Sequence, residues 1–336
     1  DVVRTFTANG LLAIGASPVM SECSEDLEDL IVHASALLIN IGTVTPDKVT
    51  YYKEAITLAK AHEVPIVLDP VGCHAGAYRL SVVLDLIKTD AISLLRGNQS
   101  EIKAIYDALN TNHKVNNSLS GKGVDGEQVE DSAIITYRLA RQINCPVVAT
   151  GEEDYVSDGT RVFAVPHGHS IMTAVTGTGC LLGAVLAAFF SSYCPFMYNM
   201  SIGEFLAYAL AYYGLAGESA VNVSGVKPGI FSVAFMDALY EFDDAMLLSG
   251  NRIRPVVVPD QLKVYFISGT QDVGFNESHL LDIVEAACRG GATCFQFREK
   301  GIGTFEGQQK LELAQQLKEI CAMYNVLYII NDDVDL

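Results

Sequence analysis

Residues 36–69 read ALLINIGTVTPDKVTYYKEAITLAKAHEVPIVLD and contain one strand, one helix and a second strand, the unit that decides the fold. The short apolar runs at 36–39 and 66–68 are typical of buried strands. Between them, Thr45 and Pro46 predict the start of a helix, as its N-cap and its first residue. The apolar residues that follow recur at helical spacing: Val49, Tyr52, Ile56 and Ala59. Two strands joined by such a helix are expected to pair in parallel.

The same alternation continues along the chain. Apolar runs at 91–94 and 147–149 predict two further strands. We therefore expect an α/β fold in which helices cover both faces of a mostly parallel sheet. Residues 155–165 predict a hairpin with its turn at Asp158-Gly159, which should add an antiparallel edge. Helical segments then dominate from 179 to about 248, with interruptions near Pro195 and across 225–229.

A second unit is predicted after a break at residues 249–260, where Gly250, Pro255 and Pro259 disfavour any regular element. We expect one domain over 1–250, a linker over 251–262 and a second domain over 263–336. In the second domain the alternation resumes. Strands are predicted at 264–267, 293–297 and 327–330, with helices at 280–288 and from about 305 to 323.

Composition narrows the function classes. Half of the 336 residues are hydrophobic and 18% are charged, so a large buried core is expected. The net charge of −18 argues against a nucleic-acid partner. The eight cysteines are scattered singly, which favours a reducing, cytoplasmic environment. Residues 181–200 lack charged side chains, but Ser191 and Pro195 interrupt them, so we expect a buried helix and no membrane span.

The sequence Thr176-Gly177-Thr178-Gly179-Cys180 precedes an apolar helix and is the strongest candidate for an anion site. Glycines let the backbone amides turn inward, and a helix N-terminus carries a partial positive charge, so a phosphate can bind there without lysine. Tight packing of the turn is the alternative interpretation.

Two acidic residues follow neighbouring strands of the predicted sheet. Asp69 ends the strand at 66–68, and Glu101 follows Arg96 after the next strand. Carboxylates at this edge of a parallel sheet could hold Mg²⁺ through water, and the Arg96 guanidinium could hold phosphate. In the alternative interpretation, Asp69 caps a turn and Glu101 is a solvated carboxylate in the first turn of a helix.

Several short motifs occur in a fixed order and together identify a family. They are FTANGLL at 6–12, GASPVM at 15–20, NIGT at 40–43, LDPVG at 68–72, RGNQSE at 96–101, KGVD at 122–125, TGE at 150–152 and TGTGC at 176–180. Over about residues 1–250 the chain resembles hydroxyethylthiazole kinases of the ribokinase-like superfamily. That resemblance implies ATP as co-substrate, Mg²⁺ as cofactor, and a homo-oligomer, expected to be a trimer with active sites between subunits.

The resemblance also implies roles for individual residues. Met20 and Gly177 would contact the thiazole substrate, Arg96, Thr150 and Gly179 would bind ATP, and Asp69 and Glu101 would serve Mg²⁺. Cys180 would be the catalytic base, because these kinases carry cysteine where ribokinase-like enzymes generally carry aspartate. Its place at a helix N-terminus suggests a lowered pKa and a partly formed thiolate. An asparagine that the family uses lies, by this alignment, just before Asp1, so the first strand is expected to be missing.

Residues 263–336 resemble the first part of a thiamine-phosphate synthase, a (β/α)₈ barrel. The motifs are VYFISG at 264–269, GGAT at 290–293, QFREK at 296–300 and INDDVD at 330–335. The resemblance implies that Gln296, Arg298, Lys300 and Asn331 contact a pyrimidine diphosphate and that Asp332 binds metal. Because only three barrel strands are predicted, we expect this part to be loosely ordered and to form no thiamine phosphate.

The function predicted from the sequence is therefore ATP- and Mg²⁺-dependent phosphorylation of 4-methyl-5-(2-hydroxyethyl)thiazole in thiamine salvage. Two alternatives stay open. The chain could be a catalytically silent, folded remnant or binding module, or a ribokinase-like kinase of another alcohol such as hydroxymethylpyrimidine. Cys180 in place of aspartate favours the thiazole.

Overall fold

The computed structural model describes residues 3–110, 131–198, 200–241 and 243–333. The motif at 122–125 lies outside the described residues. The chain divides into two compact units, Asp1–Val256 and Val257–Leu336.

The first unit is built on a sheet whose strands follow one another in chain order. These strands are β1 Leu37–Asn40, β2 Ile66–Asp69, β3 Leu94–Asn98, β4 Val147–Thr150, β5 Asp154–Ser157, β6 Val162–Val165 and β7 Arg254–Val256. Strands β1 to β4 pair in parallel, and β4 to β7 pair antiparallel. The prediction of a mostly parallel sheet followed by an antiparallel hairpin is confirmed, but the edge strand is β7 and not the hairpin.

Helices cover both faces of this sheet. They are α1 Arg4–Ala13, α2 Leu27–Ile31, α3 Pro46–Ala61, α4 Ala77–Ile87, α5 Gln99–Asn110, α6 Ser132–Ile143, α7 Thr178–Ser192, α8 Pro195–Tyr198, α9 Ile202–Ser224, α10 Pro228–Glu241 and α11 Asp244–Gly250. Neighbouring strand residues alternate between two cores. Val67 packs with residues of α7, α9 and α10, whereas Leu68 packs with residues of α3, α4 and α5. This alternation is what a sheet buried on both faces requires.

The predicted start of α3 is confirmed, since Pro46 is its first residue and the Thr45 side chain accepts a hydrogen bond from the Lys48 backbone N–H. The strand predicted at 91–94 is wrong by three residues, because β3 runs from Leu94 to Asn98 and includes the buried Arg96. Burial of Arg96 depends on partners from other strands, which apolar runs do not reveal.

Strand β7 lies inside the predicted linker, so the expectation of no regular element there is wrong. Arg254 and Val256 pair with β6, and Pro255 lies opposite Phe163. Proline lacks a backbone N–H and is tolerated in strands at a sheet edge. Position at the edge therefore explains why a proline-containing segment is a strand.

Helix α7 contains most of the apolar stretch that has near membrane-spanning length. Leu181 and Val185 are fully buried against the sheet. Within the described ranges, no helix is both long and apolar enough to cross a membrane.

The second unit is a small parallel sheet with strands β8 Tyr265–Ser268, β9 Cys294–Phe297 and β10 Leu327–Ile330, where β9 is central. Helices α12 Glu277–Arg289 and α13 Gly307–Met323 pack against one face around Phe295 and Phe297. On β8, Tyr265 and Ile267 stay 41% and 48% exposed. The predicted order of strands and helices is confirmed.

Candidate active site

The carboxyl ends of β2, β3 and β4 bring three predicted site residues together. Asp69 is fully buried, and its Oδ1 lies 3.5 Å from Nη1 of Arg96. The other terminal nitrogen of Arg96 donates a hydrogen bond of 2.9 Å to Thr150 Oγ1. The Arg96 Nε has no hydrogen-bond partner. The guanidinium is thus held in place while part of its donor capacity is unused.

Asp69 combines burial with an unused acceptor. Its Oδ2 accepts a hydrogen bond of 2.8 Å from the Asn40 side chain, whereas its Oδ1 has no hydrogen-bond partner. Burial raises the pKa of Asp69 to about 6, against the opposing effects of Arg96 and Asn40. A buried carboxylate oxygen without a hydrogen bond is costly, so this atom is suited to a ligand.

Glu101 is buried and fastens two loops. Its two oxygens accept hydrogen bonds of 2.7 Å from the backbone N–H groups of Gly72 and Asn98. In return the Glu101 N–H donates to the Asn98 side chain, which forms a reciprocal cap at the start of α5. Burial, and then the charge of Asp69, raises the pKa of Glu101 to about 7. The interpretation of Glu101 as a solvated carboxylate is therefore wrong.

The glycine turn before α7 lies against the same cluster. Gly177 has a φ of +103°, and a Cβ there would come within 2.9 Å of Val3 Cγ1, so the position requires glycine. A Cβ on Gly179 would lie 3.5 Å from Arg96 Nη1. Below the turn, the buried Tyr213 hydroxyl donates to the Thr178 carbonyl at 2.6 Å. The N-terminus of α7 and the Arg96 guanidinium therefore present donors to one place.

Cys180 follows this turn and is half-buried. Its sulfur is hydrogen-bonded by the Asn40 side chain. Burial, and then the negative charge of Asp69, raises the pKa of the Cys180 thiol above its ordinary value. The expectation of a lowered pKa is wrong, because the position at a helix N-terminus is outweighed by burial and by a neighbouring carboxylate.

Met20 is placed differently from the other predicted residues. It lies in the loop after α1 and is 43% exposed, so its side chain is not buried in the cluster around Asp69. Two polar residues of the site were not singled out from the sequence. Asn40 ends β1, and Asp154 begins β5, where its Oδ1 accepts a hydrogen bond of 2.9 Å from the Gly151 N–H. Both occur in or beside the quoted motifs, which was the available signal.

The residues present fit a magnesium ion in part. Asp69 offers a buried oxygen without a hydrogen bond, whereas each oxygen of Glu101 already accepts a backbone N–H. Among the residues that the structure describes, no group of three or more His, Cys, Asp or Glu side chains could hold a metal. Mg²⁺ commonly uses one or two carboxylates, with water and substrate phosphates as the remaining ligands. The pair Asp69 and Glu101 suits that mode.

In the second unit, polar side chains likewise follow β9 and β10. Gln296 Nε2 donates to Asn331 Oδ1 at 3.0 Å, and Lys300 forms an ion pair with Asp332. Arg298 is exposed on the same loop. The structure therefore brings Gln296 to Asn331 and Lys300 to Asp332, as expected for strand ends at one edge of a sheet.

Glu299, which was not predicted as a site residue, is buried between these polar groups. It accepts hydrogen bonds of 2.9 Å from the backbone N–H groups of Thr270 and Phe305. Its role in the loop after β9 is therefore structural.

Comparison with known proteins adds the family. Residues 1–245 match the sequence model of the hydroxyethylthiazole kinase family. The chain belongs to this family. A hydroxyethylthiazole kinase of Streptococcus agalactiae serotype Ia is 47% identical over 249 residues, which are 74% of this chain and 92% of the relative. One from Streptococcus suis is 45% identical over 240 residues, 71% of this chain and 87% of the relative.

A solved structure agrees with the fold of this kinase. The hydroxyethylthiazole kinase protein from Pyrococcus horikoshii OT3 is 35% identical, with a TM-score of 0.66 over 76% of this chain and 91% of that chain. The prediction of a ribokinase-like α/β fold is confirmed. Residues 264–336 match the sequence model of thiamine monophosphate synthase, so the predicted fusion is confirmed as well.

Proposed function

We propose that this kinase transfers the γ-phosphoryl group of ATP to the hydroxyl of 4-methyl-5-(2-hydroxyethyl)thiazole, with Mg²⁺ as cofactor. The observation that carries the proposal is the meeting of Cys180, Asp69 and Arg96 beneath the glycine turn. Phosphoryl transfer depends mainly on positioning and on neutralising charge, and these residues supply both. Membership of the family supports the thiazole as the alcohol.

Each residue has a definite task in this reaction. The backbone N–H groups from Gly177 to Cys180, with Arg96 and Thr150, hold phosphate oxygens, while Cys180 accepts the proton of the substrate hydroxyl. Asp69 and Glu101 would hold Mg²⁺, which neutralises phosphate charge when bound. The raised pKa of Cys180 means that the thiol must lose its proton before it can act as a base.

The test is ATP turnover measured side by side with the thiazole alcohol, the pyrimidine alcohol hydroxymethylpyrimidine and pyridoxal. We expect turnover with the thiazole alcohol and little with the other two. Transfer to the pyrimidine alcohol alone would overturn the substrate assignment, and no transfer to any of the three would favour a silent binding module.

The role of Asp69 can be tested by a magnesium titration. Asp69→Asn keeps the shape of the side chain but removes its charge, so we expect half-maximal activity at a higher Mg²⁺ concentration. Asp85→Asn, at an exposed position of α4, is the matched control and should leave the titration unchanged. An unaltered titration for Asp69→Asn would count against its role at the metal.

The exposed apolar side chains of the first unit support a homo-oligomer, for which a trimer is proposed. Large exposed residues follow the end of α9 and run along α10: Val223, Val226, Ile230, Val233 and Tyr240. Large exposed apolar patches commonly mark protein interfaces. The exposed Met20 would then complete a substrate site from a neighbouring subunit. Sedimentation should give three times the chain mass, and Val233→Glu should reduce that value.

For the second unit we propose that Gln296, Arg298, Lys300 and Asn331 contact a pyrimidine diphosphate and that Asp332 binds metal. They would form one wall of a site at the carboxyl ends of the strands. The expectation that the 336-residue polypeptide makes no thiamine phosphate stays a prediction. Incubation with pyrimidine diphosphate, thiazole phosphate and Mg²⁺ tests it, and product above a no-protein control would contradict it.

A further inference from the structure

The side-chain amide of Asn40 is fixed in one orientation at the end of β1. Asn40 lies opposite Asp69 in the parallel pairing of β1 with β2. Its Oδ1 accepts a hydrogen bond of 2.9 Å from the Gly42 backbone N–H. Since that partner is a donor, the amide oxygen must face Gly42 and the NH₂ group must face the other way. A Cβ at position 42 would lie 3.0 Å from this oxygen, so the turn is closely fitted.

The NH₂ group of Asn40 has two hydrogens and two acidic partners. One hydrogen is donated to Asp69 Oδ2 at 2.8 Å. The side chain also forms a hydrogen bond with the Cys180 sulfur, and this bond lowers the pKa of the thiol. An amide NH₂ can only donate, so it favours the anionic form of each partner.

We infer that Asn40 is a positioning residue for the proposed phosphoryl transfer, because its single NH₂ group holds the Asp69 carboxylate and the Cys180 sulfur at a fixed spacing. The inference rests on the proposed function of Cys180 as the base. Two groups that are both negative when active repel each other, and a shared donor between them offsets that repulsion. Without it, the charge of Asp69 opposes ionisation of Cys180 unrelieved.

The competing explanation is that Asn40 only forms the turn to Gly42. Asn40→Asp separates the two, because aspartate still accepts the Gly42 N–H but donates nothing to Asp69 or Cys180. Asn40→Ala removes all three bonds and guards against a folding defect caused by the added charge. Tyr52→Phe is the matched control, since the Tyr52 hydroxyl donates only to the backbone carbonyl of Asn40, at 3.2 Å.

In the kinetic experiment, kcat for the thiazole alcohol should fall about 10- to 100-fold in Asn40→Asp, the effect of losing a hydrogen bond to a charged group. The KM for ATP should change much less, because the phosphate-holding groups are untouched. Tyr52→Phe should keep the parent kcat. A kcat of Asn40→Asp equal to that of the parent would reduce Asn40 to a turn former.

The second experiment follows alkylation of Cys180 by iodoacetamide against pH, resolved by peptide mass spectrometry. Loss of the donor should move the midpoint for Cys180 to higher pH in both Asn40 variants, while Cys194 in the same digest keeps its midpoint. A purely structural role would leave the Cys180 midpoint unmoved, and that result would overturn the inference. Because this readout needs no substrate, it distinguishes failure of the inference from failure of the substrate assignment.

Discussion

Both units place polar residues at the carboxyl ends of parallel strands, yet they hold them in opposite surroundings. In the first unit, the side chains of Arg96 and Asp69 are 8% and 0% exposed. In the second unit, those of Lys300 and Asp332 are 47% and 69% exposed. Burial makes charge interactions strong and removal of one partner costly, whereas water screens an exposed pair. Similar placement on a sheet therefore predicts very different sensitivity to mutation.

The largest expected effect is on catalysis in the buried cluster. Cys180→Ala should lower kcat by about 10²- to 10⁴-fold, because a general base is removed while the anion-holding backbone amides stay. Since burial and Asp69 raise the pKa of Cys180, the parent kcat should increase with pH from neutral into the alkaline range, and the variant should lack that increase. Steady-state kinetics over pH measure both, with Cys194→Ala as the control. A parent profile flat in pH would exclude the thiolate as base.

The next effect is on stability. Arg96→Ala leaves the buried carboxylate of Asp69 without its counter-charge and should cost about 3–5 kcal/mol in the free energy of unfolding. Urea denaturation of the first unit measures this cost. The control is Lys103→Ala, which breaks an exposed ion pair on α5 and should change little. Equal midpoints for the two variants would remove burial as the basis of the comparison.

A smaller, pH-dependent effect is expected at Asp154. Burial raises its pKa to about 7, above the value of about 4 for an unfolded aspartate. Its contribution to stability is therefore full below about pH 4 and is lost as the pH rises through about 7.

Asp154→Asn does not titrate and can still accept from Gly151, so it should gain stability over the parent as the pH rises. The gain should reach the order of 1–3 kcal/mol by pH 8. Urea midpoints at pH 4, 6 and 8 measure the gain, and Asp85→Asn is the exposed control. A difference that does not vary with pH would contradict the assignment.

The smallest effect is expected in the second unit. Lys300→Ala breaks the exposed pair with Asp332, and we expect no measurable change in melting temperature, because water replaces the lost partner. Thermal unfolding followed by circular dichroism is sufficient. A clear drop in melting temperature would mean that this loop contributes to stability as the buried cluster does, and the contrast between the units would fail.

Much of the fold was predictable because local patterns coincide with tertiary needs. The cap at Thr45 and Pro46 and the alternation of strands and helices depend on near neighbours in sequence. The strand β3 was misplaced because its buried Arg96 gains partners, Asp69 and Thr150, only from β2 and β4. Strand β7 was missed because Pro255 argues against a strand unless its position at the edge is known.

The candidate site was predictable to the level of which residues meet, and less so in their chemistry. Asp69, Arg96 and Cys180 were expected together from the strand ends and the glycine turn. The direction of the Cys180 pKa was wrong, because burial and the distance to Asp69 are properties of the folded chain. Asn40 and Asp154 were not singled out, since a single amide or carboxylate beside a motif carries no signal until its partners are known.

The fastening of β7 has a mechanical consequence. The Arg252 backbone N–H donates to Nε2 of the buried His167 at 3.0 Å, and its guanidinium reaches Glu218 at 2.8 Å. Since the chain continues from Val256 into the second unit, tension on that unit pulls first on this short edge strand. Peeling of residues 252–256 would lengthen the tether by about 17 Å, while β1 to β6 and the residues they carry stay intact. The edge strand thus acts as a sacrificial link that keeps force away from the reacting groups.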